Sequence, residues 1–376
     1  MNEVVKLAPP GLKGLIVADT TVGGVRGTEG FFHYRHYDAC EVARLRAFEA
    51  AVLLLIDGEL PSGDSEARFR KQLGTARTLD PGARSVLSAV AAQTDSPLSG
   101  LQALIPIFTA NTPWLDLDAG QRRSAAVRVA AAVPTVLASL HRLGQGQEPV
   151  PPDPNLGHAA DFVRMVTGTV AAPQLTRAVE TYLTLTADHG FNASTFTTRV
   201  VASTGAGIGS VLASAVAALS GPLHGGAPSR VLDMINDIGD PDNTERWAQS
   251  AVQEGVKIMG FGHAVYRAED PRSLLLRDVA LGLGGDLVTT AQEIEERMLR
   301  FLADWKPSAT IVTNVEFYAA VVLHLAGIPQ EMFTPAFTTS RVFGWTAHLL
   351  EQASNNKILR PSARYVGESP PVPVPT

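Results

Sequence analysis

Three histidines of this 376-residue chain stand in settings suited to chemistry: Asp188-His189, Leu223-His224-Gly225-Gly226 and Gly260-Phe261-Gly262-His263. Glycines beside an imidazole let backbone and ligand come close to the ring. For each, a satisfied structural histidine is the plain alternative. Two arginines, Arg267 and Arg272, follow within nine residues of His263, and guanidinium forks suit carboxylates and phosphates. The same stretch also reads as a solvated turn at a helix start, with Asp270 as N-cap and Pro271 as first helical residue. Glu316 is one acid in the apolar run Val315 to Leu325. It is either a half-exposed helix start or a base with a raised pKa.

Other constellations fail. No HExxH or CxxC spacing is present, so no metal site is expected. There is no G-x-S-x-G elbow, no G-x-x-x-x-G-K-[ST] phosphate loop and no G-x-G-x-x-G after a strand. The lone Cys40 can form no internal disulfide and has no evident activating partner. With no long apolar segment after a basic start in Met1 to Gly14, a cytoplasmic address is the expectation. His33 and His36 read as surface residues.

Helices must position these groups, because helical periodicity dominates the chain. Val42, Leu45, Phe48, Ala51, Val52 and Leu55 recur at three- and four-residue spacing, predicting one helix over Glu41 to Leu60, ended by Gly58 and Pro61. Gln121 to Leu143 reads alike, with a break or kink near Pro134, as do Thr176 to Thr186, Leu287 to Leu302 and Val315 to Leu325. Gly14 to Val17 and Phe31 to Tyr34 are expected to pair as a short hairpin. Val200 to Ser229 carries no formal charge and imitates a membrane span, yet its Ala, Ser, Gly and Thr content predicts buried helix. Glu148 to Pro154 reads as a surface connection and Glu368 to Thr376 as a disordered Pro-rich tail.

With 45% hydrophobic residues the chain can fill one or two domain cores. Thirty-one basic against 37 acidic residues, without a basic run, argue against nucleic acid and anionic membrane surfaces as partners. Only 18% of residues are charged, and so sparse a charge eases burial against another subunit. No fixed-period repeat occurs, which removes the solenoids.

Taken together, the motifs make the chain resemble the citrate synthase family from about Gly14 to Gly367. The matching segments are Tyr34-Arg35-His36-Tyr37-Asp38, Ala187-Asp188-His189 with Asn192-Ala193-Ser194-Thr195, and Gly221-Pro222-Leu223-His224-Gly225-Gly226-Ala227. They continue with Gly260 to Arg267, Asp270-Pro271-Arg272, Asn314-Val315-Glu316-Phe317-Tyr318, Ser340-Arg341 with Gly344-Trp345 and Ala347-His348, and Arg360-Pro361. Their order and spacing are highly specific. The resemblance implies an all-α homodimer whose large domain, residues 1–225 and 328–376, carries the keto-acid site. A smaller, mobile domain, residues 226–327, would carry the coenzyme A site. By that analogy His189, Asn192, His263, Arg272 and Arg341 hold oxaloacetate, and Arg360 arrives from the partner subunit. Lys257, Gly260, Phe261, Gly262 and Arg267 would meet coenzyme A, a co-substrate and not a resident cofactor.

Removing a weakly acidic thioester methyl proton requires a carboxylate base paired with a donor at the thioester oxygen. Glu316 would be the base, His224 the donor, and His263 the group that polarises the ketone of oxaloacetate. The family usually has Asp where this chain has Glu316, and often Asn where it has Pro228. The related reaction is 2-methylcitrate synthesis from propionyl-CoA, which differs by one methyl group. A non-catalytic regulator that binds coenzyme A or the keto acid is the rival of another class.

Overall fold

The computed structural model describes residues 7–109, 114–222, 224–225, 227–263, 265–355 and 357–374, without the side chains of 227 and 228. Leu223, Gly226, where the smaller domain was expected to begin, Ala264 and the last two residues of the tail lie outside the described residues. Sixteen α-helices run through them in chain order. They are α1 (Ala39–Leu45), α2 (Phe48–Asp57), α3 (Asp64–Ala76), α4 (Pro81–Ala91), α5 (Pro97–Thr109), α6 (Ala119–Gly144), α7 (His158–Thr167) and α8 (Pro173–Thr186). Then follow α9 (Ala193–Ser203), α10 (Ile208–Ser220), α11 (Ala227–Ile238), α12 (Thr244–Gln253), α13 (Pro271–Leu283), α14 (Asp286–Trp305), α15 (Val315–Leu325) and α16 (Phe333–Asn355).

The expected single helix over Glu41 to Leu60 is two. Arg46 is extended between α1 and α2, with φ −127° and ψ 160°. Its guanidinium reaches the Pro61 carbonyl and the Glu66 carboxylate, partners that local periodicity cannot reveal. Pro134 lies inside the 26-residue α6, so of the expected break or kink the break does not occur. This helix is long and apolar enough to cross a bilayer by composition alone, yet the span concerned is 78% buried in the protein. The uncharged stretch from Val200 is likewise no single span: Gly205 at φ +78° ends the α9 turn, and α10 follows as a separate buried helix.

Phe31–Tyr34 is a strand, β2, but Gly14 to Val17 is not its partner. The antiparallel partner is β1 (Gly23–Arg26), in register Gly23 with Tyr34 and Arg26 with Phe31, and β3 (Tyr37–Asp38) completes the sheet. Ile16 is 86% exposed, so its apolar run is not used for pairing. Arg35, in left-handed backbone at φ +52°, fastens the sheet to α2 by donating to the carbonyl of Leu54, which also takes the Gly58 N–H, and to that of Leu55.

At the centre α16 packs on α2, α6, α8, α9 and α10. Gly344 permits this approach, since a Cβ there would sit 2.2 Å from the Ala187 carbonyl oxygen. Helices α11 to α15 pack among themselves and meet the others where α13 and α15 touch α8, α11 touches α16, and α13 touches α1. Beyond α16, residues 357–374 form neither helix nor strand.

Candidate active site

The end of α8 delivers the first group. Asp188 is buried and His189 half-buried just past the helix, with the Phe32 ring of β2 at 5.4 Å from the imidazole. His189 Nε2 lies 2.9 Å from the Tyr266 hydroxyl. Burial, reinforced by Arg272 and Arg341, pushes the His189 pKa well below its ordinary value, so the ring is neutral.

His263 is held by its own loop. Its Nδ1 accepts the backbone N–H groups of Val265 at 3.0 Å and Tyr266 at 3.1 Å. Burial and then Arg272 lower its pKa to about 4, so it too is neutral, with its proton on Nε2. That nitrogen is 3.2 Å from Arg272 Nη2. Two donors therefore face one another, an arrangement that an acceptor oxygen between or beside them would satisfy.

Arg272 is in turn fixed by Asp270, the N-cap of α13. Asp270 Oδ1 accepts from Arg272 Nε at 2.9 Å and Oδ2 from Nη2 at 2.8 Å, with both residues buried. Asp270 thus does more than the capping read from sequence.

Arg341, on α16, is 2% exposed; its Nε donates to the Thr186 carbonyl at 2.8 Å and its guanidinium stands over the Phe337 ring. Among the described residues no carboxylate forms an ion pair with it. Burial pulls its pKa down to about 10, which still leaves a cation at neutral pH. Asp188, the acid that acts on it, stands 3.3 Å from His348, so the buried guanidinium remains able to receive an anion.

His224 forms a second centre. Its Nε2 lies 3.3 Å from the backbone N–H of Ser194, in the first turn of α9. Since that N–H can only donate, Nε2 accepts and the proton of the neutral ring is on Nδ1. The Ser194 hydroxyl is 2.9 Å from the same Nε2 and receives Trp345 Nε1–H at 3.2 Å. Asn192 caps α9, its Oδ1 accepting from Thr195 N–H at 3.0 Å and lying 2.8 Å from Ser194 Oγ. Burial, then Arg341, lowers the His224 pKa.

Glu316 opens α15, and Asn314 Oδ1 caps the helix by accepting the Glu316 N–H at 3.0 Å. Burial raises the Glu316 pKa to about 7, against the opposing pull of Arg272 and Lys257. The two sequence readings meet here: Glu316 stands half-buried in the first turn of α15, and the pKa of its carboxyl is pushed up. Glu316 lines a cavity of about 280 Å³ with residues 257–263 and Asn314. The loop is tied to α15: Asn314 N–H donates to the Gly260 carbonyl at 2.9 Å, Gly262 N–H to the Val312 carbonyl at 2.7 Å, and Phe261 bridges Thr313. Lys257 is exposed at the rim and Phe261 is buried against Phe317. Arg267 is exposed and its Nη1 donates to the carbonyls of His263 and Tyr266.

The fold therefore brings His189, His263, Arg272 and Arg341 into one electrostatic cluster, and sets Glu316 and the 257–262 loop around the same cavity as His263. Arg360 is not joined to them within the chain: it is exposed on 357–374. Tyr266 and Ser194 are working neighbours to which sequence reasoning gave no role, and Asp270 one to which it gave only a cap. Only the Asp-Pro-Arg spacing, an acid two residues ahead of an arginine, hinted at one of them.

The described residues contain no group of three or more His, Cys, Asp or Glu that could hold a metal. The chain matches the family model for the citrate synthase C-terminal domain over residues 11–362. It is 36% identical over 366 residues to the citrate synthase of Haloferax volcanii, covering 95% of each chain. It is also 36% identical over 359 residues to the 2-methylcitrate synthase of Mycobacterium tuberculosis, covering 95% of this chain and 90% of that one. The crystal structure of citrate synthase from Thermotoga maritima superposes with a TM-score of 0.85 at 32% identity, covering 97% of both chains.

Proposed function

The chain belongs to the citrate synthase family, and from that premise we propose how its residues condense acetyl-CoA with oxaloacetate and water to give citrate and coenzyme A. Arg272, Arg341, His189 and Asn192 bind the keto acid, the arginines taking its carboxylates. His263 directs Nε2–H at the ketone oxygen. Glu316 removes a methyl proton from acetyl-CoA while His224 Nδ1–H bonds the thioester oxygen, on which enolate charge develops. The enolate carbon attacks the ketone carbon, and the resulting alkoxide takes the His263 proton. Water then cleaves the thioester of citryl-CoA, releasing citrate and coenzyme A.

The observation that carries this reading is that Glu316 and His263 line one cavity, with His263 held by its loop as an Nε2–H donor and the pKa of the Glu316 carboxyl pushed up by burial. A general base works best when its pKa is near the operating pH.

The remaining roles extend the same reading. Residues 257–262 and Arg267 receive coenzyme A. Residues 226–327 act as a smaller domain that closes over the keto acid and completes the acyl-CoA site, excluding water. The protein works as a homodimer in the cytoplasm, Arg360 reaching the partner's cleft.

The equal identity to a 2-methylcitrate synthase supports one second reading, propionyl-CoA as acyl donor. One methyl group is worth about 1–3 kcal/mol in an apolar pocket, so the two donors can differ by only modest factors. Free thiol release with oxaloacetate and acetyl-CoA, repeated with propionyl-CoA, tests both. Release with neither donor, with intact binding of either substrate, would leave the regulator as the answer.

A further inference from the structure

Tyr266 meets two of the three active-site histidines through two different groups. Its backbone N–H donates to His263 Nδ1 at 3.1 Å, and its phenol oxygen lies 2.9 Å from His189 Nε2. The three rings pack on one another: centroids are 4.7 Å apart for His263 and Tyr266, 5.5 Å for His189 and Tyr266, and 5.6 Å for the two histidines. Tyr266 is 1% exposed, and Arg272 stands 5.8 Å over its ring. We propose that Tyr266 is a positioning residue that sets both tautomers, fixing His263 as the Nε2–H form through its backbone and His189 as the Nδ1–H form through its hydroxyl.

The backbone half follows from chemistry that cannot reverse, since an amide N–H only donates. The hydroxyl half follows from proton counting. A phenol has one proton, and among the described residues the acceptor within its reach is His189 Nε2. If His189 instead donated through Nε2, the phenol proton would be buried with no acceptor, beside the Arg272 cation, at the cost of an unmade hydrogen bond. Donation by Tyr266 satisfies both groups and leaves His189 one proton, on Nδ1. A neutral imidazole offers a donor on one nitrogen only, so the tautomer decides which face of His189 can bond an oxygen of the keto acid. This last step rests on the keto-acid role given to His189 above.

Tyr266→Phe tests the proposal with little disturbance, because the ring, its packing and the backbone N–H on His263 remain. The readout is the nitrogen spectrum of ¹⁵N-histidine-labelled, unliganded protein, with the His189 signals identified by their loss in His189→Gln. Wild-type protein is expected to show His189 protonated at Nδ1, and Tyr266→Phe to show a tautomer mixture or the Nε2–H form, with His263 unchanged. In kinetics KM for oxaloacetate should rise about tenfold while kcat stays within about threefold, the pattern of lost ground-state positioning. An unchanged His189 tautomer in the variant overturns the proposal. So does a changed tautomer with unmoved KM when His189→Gln itself raises KM. If His189→Gln also leaves KM unmoved, the keto-acid role of His189 is what has failed.

Discussion

Asp270 and Arg272 are joined along a whole carboxylate edge, and the Asp270 oxygen that takes Arg272 Nη2 at 2.8 Å also takes the Val315 N–H at 3.2 Å. One buried anion therefore locates both the arginine assigned to the keto acid and the first turn of the helix bearing Glu316. Its charge also acts directly, since Asp270 is among the groups that raise the Glu316 pKa.

Asp270→Asn should accordingly do two things. KM for oxaloacetate rises at least about tenfold, because the bidentate pair is lost and Arg272 is free to turn. The acid limb of the pH–rate profile moves to lower pH, since removing a nearby negative charge lets Glu316 ionise more easily. A profile whose acid limb stays put, in a variant with unaltered circular dichroism, would show that Asp270 is not felt at the base.

Glu316 itself fixes where that limb lies. A carboxyl acts as a base only when ionised, so with a pKa of about 7 in the free enzyme kcat/KM should climb with pH up to about that value. Glu316→Gln should abolish exchange of solvent deuterium into the acyl-CoA methyl group, measured with a non-reacting keto-acid analogue. Oxaloacetate affinity should stay within a few fold. Glu316→Asp should lower kcat, because the backbone here is fitted to the longer side chain and a misplacement of about 1 Å costs about a hundredfold. Exchange at the wild-type rate in Glu316→Gln would be the contrary result.

Two glycines of one loop give a comparison of strain with collision. Both Gly260 and Gly262 are left-handed, at φ +82° and +81°, but a Cβ on Gly260 would press within 2.9 Å of Phe317, whereas Gly262 has open space. Each alanine costs on the order of 1 kcal/mol or more for its backbone alone. Gly260→Ala should lose more, displace the loop from α15 and raise KM for the acyl-CoA several times more than Gly262→Ala does. Equal effects of the two would mean that the contact with Phe317 yields freely.

Arg360 is exposed in its own chain, and its proposed role in the partner's cleft predicts complementation. Homodimers of Arg360→Ala or Arg272→Ala should turn over poorly. After subunit exchange, mixed dimers should regain activity, since one of the two clefts then holds both arginines. No recovery, once exchange has been demonstrated, would confine Arg360 to its own chain.

How far the sequence carried can be judged element by element. Val315–Leu325 is a helix with the bounds that its periodicity predicts, because its apolar positions and the Asn314 cap are all local. The split between α1 and α2 is not legible, since Arg46 is held extended by Pro61 and Glu66 from farther along the chain. The strand pairing was misread for a related reason: Leu15, Ile16 and Val17 look more strand-like than Gly23 and Gly24, yet the turn after Arg26 decides the register. In the site, the histidines, arginines and Glu316 were legible as types at spacings. Their neighbours were not. That Tyr266 meets His189 across 77 positions, or that Ser194 supports His224 across 30, depends on packing that no motif spells out.

Arg341 lends the molecule an unusual dependence on its surroundings. Its charge is buried on the central helix, where Asp188 of the same chain acts on it without forming an ion pair. A buried guanidinium that is only partly neutralised gains from an anion brought beside it. Whatever binds there and not to the unfolded chain stabilises the fold by mass action, by about 2.7 kcal/mol at a hundredfold excess over its dissociation constant. Heat tolerance is then a property shared with the medium: a dicarboxylate that occupies the proposed keto-acid site should raise the melting temperature of the same polypeptide.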